Sequence, residues 1–168
     1  MLFYNNLEKR IYAYDGRETA SSLVNKNMFL VNEKKMNFID AVKKPYSVGV
    51  PGLYTMLADA HSNFGKLDWQ DLFLSALIYS EGFKMGKRLN KLLLWAPHIK
   101  NNRFVQDTYY SNGKVIKVGD VVKNLKLKES LEILSKNPYS LNKGLLAEKI
   151  SMRLPNHILF SDLKKWRT

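Results

Sequence analysis

A β-hairpin signal stands at the very start of this chain, and little that follows it reads as strand. Leu2-Phe3-Tyr4 is a short β-prone run, Asn5-Asn6 breaks it with turn chemistry, and Ile11-Tyr12-Ala13-Tyr14 forms a second run that stops at Asp15-Gly16. Two strands alone are marginal in water, so a chain that opens this way needs a sheet from elsewhere. After Pro51-Gly52 the apolar period lengthens. Leu53, Met56, Leu57, Ala60 and Phe64 fall on one helical face, with Gly65 placed to end it. Asp68 is a candidate N-cap for a second helix carrying Trp69, Leu72, Phe73, Ala76 and Leu77, with Gly82 as its stop. A third helix is expected near Met85–Leu94 and must end before Pro97. Residues 98–118 read as irregular, with a small hairpin across Asn112-Gly113 between Thr108-Tyr109-Tyr110 and Val115-Ile116. Helical spacing returns at Leu127, Leu131 and Leu134 and again around Leu146–Ile150, and Ser161 is a candidate cap for a last turn holding Leu163 and Trp166. The expected class is α+β, mostly helical, with an N-terminal β-hairpin, and the length suits one domain over residues 1–168, which the resemblance described below makes a partial one.

The 45% apolar content of the 168 residues is enough to build a core. The absence of cysteine excludes a disulfide framework, a Cys-based zinc site and a thiol nucleophile. No stretch approaches the roughly twenty apolar residues that cross a bilayer. Met1–Arg10 has no basic segment followed by an apolar run, so no signal peptide is read and a cytoplasmic location is expected. Lys and Arg exceed Asp and Glu by 27 to 15, a formal charge of +12. The cations are spread along the chain. The densest groups, Lys84–Lys91 and Lys123–Lys128, lack the interleaved aromatics of a stacking platform. A solvated basic surface is therefore favoured over nucleic-acid binding, and no membrane partner is expected.

Most chemical constellations are missing. There is no Gly-rich phosphate loop and no Gly-x-Ser-x-Gly elbow. His61, His98 and His157 have no partner at metal spacing, so no metal or cofactor is implied, and His61 reads as an ordinary polar position near a helix end. Ser140-Leu-Asn-Lys143 matches Ser-x-x-Lys without the companion motifs of serine acyl-enzymes. Asp68 with Asp71, and Glu129 with Glu132, are better explained as helix-start acids and solvated faces than as an acid/base pair. Met56, Phe64, Trp69 and Phe73 read as core. No catalytic residue is assigned. Arg17 has a sharper case: it follows Asp15-Gly16 at the mouth of a strand, and a guanidinium fork grips a carboxylate with two hydrogen bonds. A surface Arg paired with Asp15 or Glu18 is the competing reading, somewhat favoured by the residues alone.

The order of motifs carries more than any one of them. Tyr14-Asp15-Gly16-Arg17-Glu18-Thr19-Ala20 resembles the Asp-Gly-Arg-Glu-x-Ala-Pro segment of γ-glutamyltransferases (γ-glutamyltranspeptidases). Val48-Gly49-Val50-Pro51-Gly52 resembles the family's Val-Gly-Val-Pro-Gly, His61–Gly65 its Ala-His-x-x-Tyr-Gly, and Leu67–Leu72 its Leu-x-Trp-x-x-Leu. Glu81-Gly82-Phe83, Gly119-Asp120 and Phe160-Ser161-Asp162-Leu163 with Trp166 follow in the expected order, so the resemblance runs nearly end to end. It implies a fragment of an αββα N-terminal-nucleophile hydrolase sandwich, drawn from inside the large subunit. It also implies chemistry by a small-subunit N-terminal Thr on the γ-glutamyl bond of glutathione-like compounds. Arg17 inherits the role of binding the glutamyl α-carboxylate. The family is often periplasmic or secreted. Two departures stand out: Ser21 where the family usually has Pro, and Tyr139–Gly144, which fits the family's aromatic-Tyr-x-Gly segment poorly and holds an extra residue. Both are expected to loosen neighbouring loops.

The resemblance places the autocleavage site and the Thr nucleophile outside these residues, and Thr168, at the end, lacks the context of either. Three functions follow. The chain is a truncated γ-glutamyltransferase-like protein without catalysis alone. Alternatively it is one chain of a split enzyme whose partner carries the missing sheet and the Thr, with γ-glutamyl substrate bound only in that complex. A reading of another class is a basic polyanion-binding module. Half a sandwich exposes surface its other half should cover, so a marginal or aggregating monomer is expected.

Overall fold

The structure is a computed structural model describing residues 1–168. In chain order its elements are β1 (Leu2–Asn5), β2 (Arg10–Ala13), β3 (Leu30–Val31), β4 (Lys34–Lys35), α1 (Phe38–Ala41), α2 (Leu53–Phe64), α3 (Leu74–Glu81), β5 (Phe83–Lys84), α4 (Lys87–Trp95), α5 (Arg103–Tyr109), β6 (Tyr110–Ser111), β7 (Lys114–Val115), β8 (Val121–Val122), α6 (Leu125–Lys136), α7 (Ser140–Lys143), α8 (Leu145–Arg153) and α9 (Phe160–Lys165). Helices carry most of the regular structure. The strands form four separate antiparallel pairs, β1 with β2, β3 with β4, β5 with β8 and β6 with β7. Within the residues expected as one partial domain, packing divides into two compact units, Met1–Asp71 with Ile133–Thr168, and Leu72–Glu132.

In the first unit the hairpin pairs Phe3 with Tyr12 and Tyr4 with Ile11. Because side chains alternate along a strand, Phe3 and Tyr12 share one face and both meet Phe64 of α2, at ring separations of 4.4 and 4.9 Å. Leu2, Tyr4 and Ile11 are left exposed. The core joins Val50, Met56, Ala147, Ile158, Leu163 and Trp166, with Tyr14, Ile150 and Leu154 against it. α2 starts after Pro51-Gly52 and ends at Gly65, as its spacing predicts. Its buried residues are Thr55, Met56, Ala58 and Ala60, while Leu53 and Leu57 face outward. The inward face takes small side chains because α7 comes close enough for Thr55 Oγ1 to donate to Asn142 at 2.6 Å.

One predicted cap is refined and one is corrected. Asp68 directly precedes a 3-10 turn over Trp69–Phe73 that leads into α3 at Leu74, and its carbonyl accepts from the Asp71 N–H, so the helix opens after Asp68 with a 3-10 turn. The Trp69 indole donates to the Leu134 carbonyl at 2.9 Å. Ser161 lies inside α9. The helix starts after Leu159, whose N–H donates to the Asp162 carboxylate at 3.0 Å, so the third residue of the helix reaches back and no hydroxyl cap is required.

The second unit is built on Met85, Leu93 and Val122, with Phe83, Leu89, Ile99, Val105, Tyr109, Val115 and Ile116 around them. α4 occupies the stretch expected for a third helix and stops before Pro97. The hairpin across Asn112-Gly113 is present, with both turn residues at positive φ, and pairs Tyr110 with Val115. The region read as irregular also holds α5. Asn102 is its N-cap and accepts from the Val105 N–H at 3.2 Å.

The accessible surface is 12295 Å². A compact monomer of this mass exposes about 8,500 Å², and two separate compact units of the same total mass about 10,000 Å². The excess is carried partly by large apolar side chains left open, among them Leu7, Phe38, Ile78 and Met152. No helix is long and apolar enough to cross a membrane.

Candidate functional site: the Arg17 loop

The chain leaves β2 and enters a loop whose backbone is held from several sides. Asp15 Oδ1 accepts from the Arg17 N–H at 2.9 Å, a local turn that Asp favours. The Arg17 carbonyl accepts from the Trp166 indole N–H at 3.3 Å. Two residues on, Thr19 pairs with Val50 through both backbone bonds, at 3.2 and 2.8 Å. Gly16 lies so close to α2 that a Cβ there would sit 2.8 Å from the Cβ of Met56. The Arg17 guanidinium is held only loosely by contrast. Its side chain is 83% exposed and its Nε lies 3.8 Å from Glu18 Oε1, a loose surface pairing. The surface pairing with Glu18 is the one that the residues alone favour; with Asp15 only the Arg17 backbone N–H is bonded.

Trp166 links this loop to the core. It is 5% exposed and packs directly on Gly52, where a Cβ would fall 1.9 Å from its ring. Asn142 of α7 holds the elements behind it. Its Oδ1 accepts from Thr55, and its Nδ2 donates to the carbonyls of Pro51 and Leu163 at 2.9 and 3.2 Å. Tyr139–Gly144 is therefore tied in rather than loosened. The same holds for Ser21, which is buried, with its Oγ donating to Asp162 at 3.0 Å and accepting from the Leu23 N–H. Burial pushes the Asp162 carboxyl up, but hydrogen bonds from Ser22, Leu159 and Ser21 outweigh it and hold it below the usual carboxylate range. A shallow cleft of about 300 Å³ opens here between Thr19, Val50, Asp162, Lys165, Trp166 and Arg167.

The other candidates lie elsewhere in the fold. Ser140 is fully buried and its Oγ accepts from the Leu146 N–H, while the Lys143 ammonium lies 5.5 Å from the ring centre of Tyr139. The Ser-x-x-Lys spacing thus serves the start of α8. His61 Nε2 is bonded to the Leu67 carbonyl at 2.8 Å and its ring stands edge-on to Trp69, and His157 stands against Tyr46. Asp68, Asp71 and Glu129 are exposed. Glu81 pairs with Lys128 at 2.6 Å. Asn142 and Trp166 are the positioning residues that motif reading did not assign. Trp166 lay in a quoted motif; nothing in the local sequence marks Asn142.

A sequence model described as Gamma-glutamyltranspeptidase matches residues 1–168. The chain belongs to this family. It is 32% identical over 141 residues to Scoloptoxin SSD14 of Scolopendra dehaani, covering 82% of this chain and 24% of that protein. It is 30% identical over 146 residues to Glutathione hydrolase 3 of Arabidopsis thaliana, covering 85% of this chain and 22% of that one. Among solved structures it resembles the γ-glutamyltranspeptidase from Pseudomonas nitroreducens complexed with L-DON, with a TM-score of 0.85, 25% identity, and coverage of 99% of this chain and 50% of that chain. The Helicobacter pylori γ-glutamyltranspeptidase shares the fold at a TM-score of 0.89 and 18% identity, with the same coverage. The chain thus spans about a quarter of these curated relatives and half of these solved chains. Its fold is a fragment of the family's large-subunit architecture.

Proposed function

We propose that residues 1–168 form the part of a γ-glutamyltransferase that receives the α-carboxylate of a γ-glutamyl donor at Arg17, and that they perform no γ-glutamyl transfer by themselves. The observation that carries this is the contrast at Arg17, a backbone fixed by Asp15, Trp166 and the Thr19–Val50 bridge beneath an exposed guanidinium paired only loosely with Glu18. A forked, charge-assisted pair with the donor carboxylate would set the γ-carbonyl at a defined place. The nucleophile must come from elsewhere. A Thr of this class is activated by its own α-amine. Thr19, Thr55, Thr108 and Thr168 are each joined through an amide to a preceding residue. Thr55 and Thr108 are also buried, and Thr168 Oγ1 donates to Asp59.

The exposed area supports a second element of the reading. A companion polypeptide segment with an N-terminal Thr would cover the open face of the hairpin and complete the sheet. The test is hydrolysis of a γ-glutamyl anilide, a glutathione-like compound, by the chain alone and with such a companion. The chain alone is expected to be inactive. In the active complex Arg17→Ala should raise KM about 10- to 100-fold with kcat little changed, and Arg17→Lys should recover part of the loss. An enzyme-like rate from the chain alone, or an unchanged KM with Ala at position 17, would refute the proposal.

A further inference from the structure

The second unit carries an exposed surface on α4 that the proposed carboxylate contact does not include. α4 turns Leu89 and Leu93 toward the core. On its outer side Lys87, Arg88 and Lys91 line one open groove of about 870 Å³ together with Leu92, Leu94 and Trp95. Trp95 is 83% exposed and Leu94 63%. Leu94 also borders a second groove, of about 550 Å³, whose cations are Lys100, Lys114 and Lys117. Neither groove is lined by an acidic side chain, and none of the six cations is in an ion pair. Lys87, Arg88 and Lys91 belong to one of the densest cationic groups of the sequence, whereas Lys100, Lys114 and Lys117 are spread along it. α4, the turn after it and the β6–β7 hairpin gather them.

The chemistry of this face selects its occupant. Covering it with another protein's apolar surface would strip water from six cations and return no counter-charge. α3 differs, since its exposed Leu74, Ile78 and Tyr79 have no Lys or Arg among them. A soluble polyanion would answer the charge but has no use for a protruding Trp and Leu. An anionic bilayer answers both, with Lys and Arg among the headgroups, Trp at the interface and Leu at the acyl boundary.

We propose that the α4 face of the second unit docks peripherally on an anionic phospholipid surface. Each Lys or Arg near such a surface strengthens binding roughly fivefold, and the effect fades within a Debye length. The site is independent of Arg17.

The test is co-sedimentation of the full chain with phosphatidylcholine vesicles, with and without phosphatidylserine. The chain should bind only the phosphatidylserine vesicles and should be released by salt. Lys87→Glu/Arg88→Glu/Lys91→Glu should lower the affinity at least about a hundredfold, and Trp95→Ala several-fold. Lys34→Glu/Lys35→Glu/Lys66→Glu changes the net charge equally within the first unit and should stay within about threefold of the parent. Circular dichroism checks that each variant is folded, and Trp95→Ala with the parent's salt titration decides the matter if the triple variant is not. Equal binding to neutral vesicles overturns the proposal. So does a control variant weakened as much as the α4 variant, or polyphosphate bound as tightly as the vesicles with Trp95→Ala affecting neither.

Discussion

Adding one methyl group at Gly52 should disturb the Arg17 loop from across the core. Gly52 has φ −127° and ψ −18°, a conformation open to any residue, so Ala there meets no backbone penalty. The cost is steric. The new Cβ would lie 1.9 and 2.1 Å from two ring carbons of Trp166 and 2.6 Å from its Nε1. A buried indole has no free end to swing aside, so the ring must shift and its bond to the Arg17 carbonyl must open. Overpacking costs about 1–3 kcal/mol and the lost hydrogen bond about 0.5–1.5 kcal/mol, so Gly52→Ala should destabilise the first unit by about 2–4 kcal/mol. Gly86 serves as the control, because a Cβ there meets nothing within 4 Å. Gly86→Ala should stay within about 1 kcal/mol of the parent, its smaller unfolded-state entropy offset by weaker capping of α4. Urea unfolding followed by circular dichroism reads both, and the indole N–H resonance of Trp166 reads the ring shift. Trp166→Leu removes the clash, so in the double variant Gly52→Ala should cost at least about 1 kcal/mol less. A Gly52→Ala protein as stable as the parent, or strict additivity with Trp166→Leu, would refute the reasoning.

Asn142→Leu removes the partner of the Thr55 hydroxyl and of the Pro51 carbonyl and one of the two bonds to the Leu163 carbonyl, which keeps the Trp166 N–H, and should cost about 2–4 kcal/mol in the same unfolding experiment. The folded-state pKa of Asp162 is depressed, so the stability it contributes is present above its unfolded pKa of about 3.9 and is lost as pH falls through the lower folded value. Asp162→Asn should therefore show a shallower loss of stability than the parent between neutral and strongly acidic pH, measured by urea midpoints. The exposed apolar side chains predict concentration-dependent light scattering and binding of a hydrophobic dye by the isolated chain, both suppressed when a companion covers them.

Much of the fold is legible because its signals are local. The shift from strand alternation in residues 2–14 to helical spacing after Gly52 places β1, β2 and α2, and Gly65, Gly82 and Pro97 mark the ends of α2, α3 and α4 where the structure has them. What escaped depends on contacts remote in sequence. Thr55, Ala58 and Ala60 face inward instead of Leu53 and Leu57 because α7 approaches α2, and the two are joined by an Asn142 bond across 87 residues. α5 escaped because an Asn that breaks a helix interior also caps a helix start, and only the tertiary context decides between them. At the site, Arg17 was visible through fork chemistry and motif order, whereas its support by Trp166 joins residues 149 apart and leaves no local trace. Ser21 shows the same limit, since its bond to Asp162 spans 141 positions.

If this chain orients a γ-glutamyl donor for a Thr that its own residues do not supply, activity must depend on a second segment. Affinity purification of the tagged chain from its native cells, with mass spectrometry and a γ-glutamyl anilide assay of the eluate, decides this. Activity should track a stoichiometric segment with an N-terminal Thr, and Arg17→Ala should weaken donor binding in that eluate. Residues 1–168 purified to homogeneity and turning over the anilide at an enzyme-like rate would contradict it.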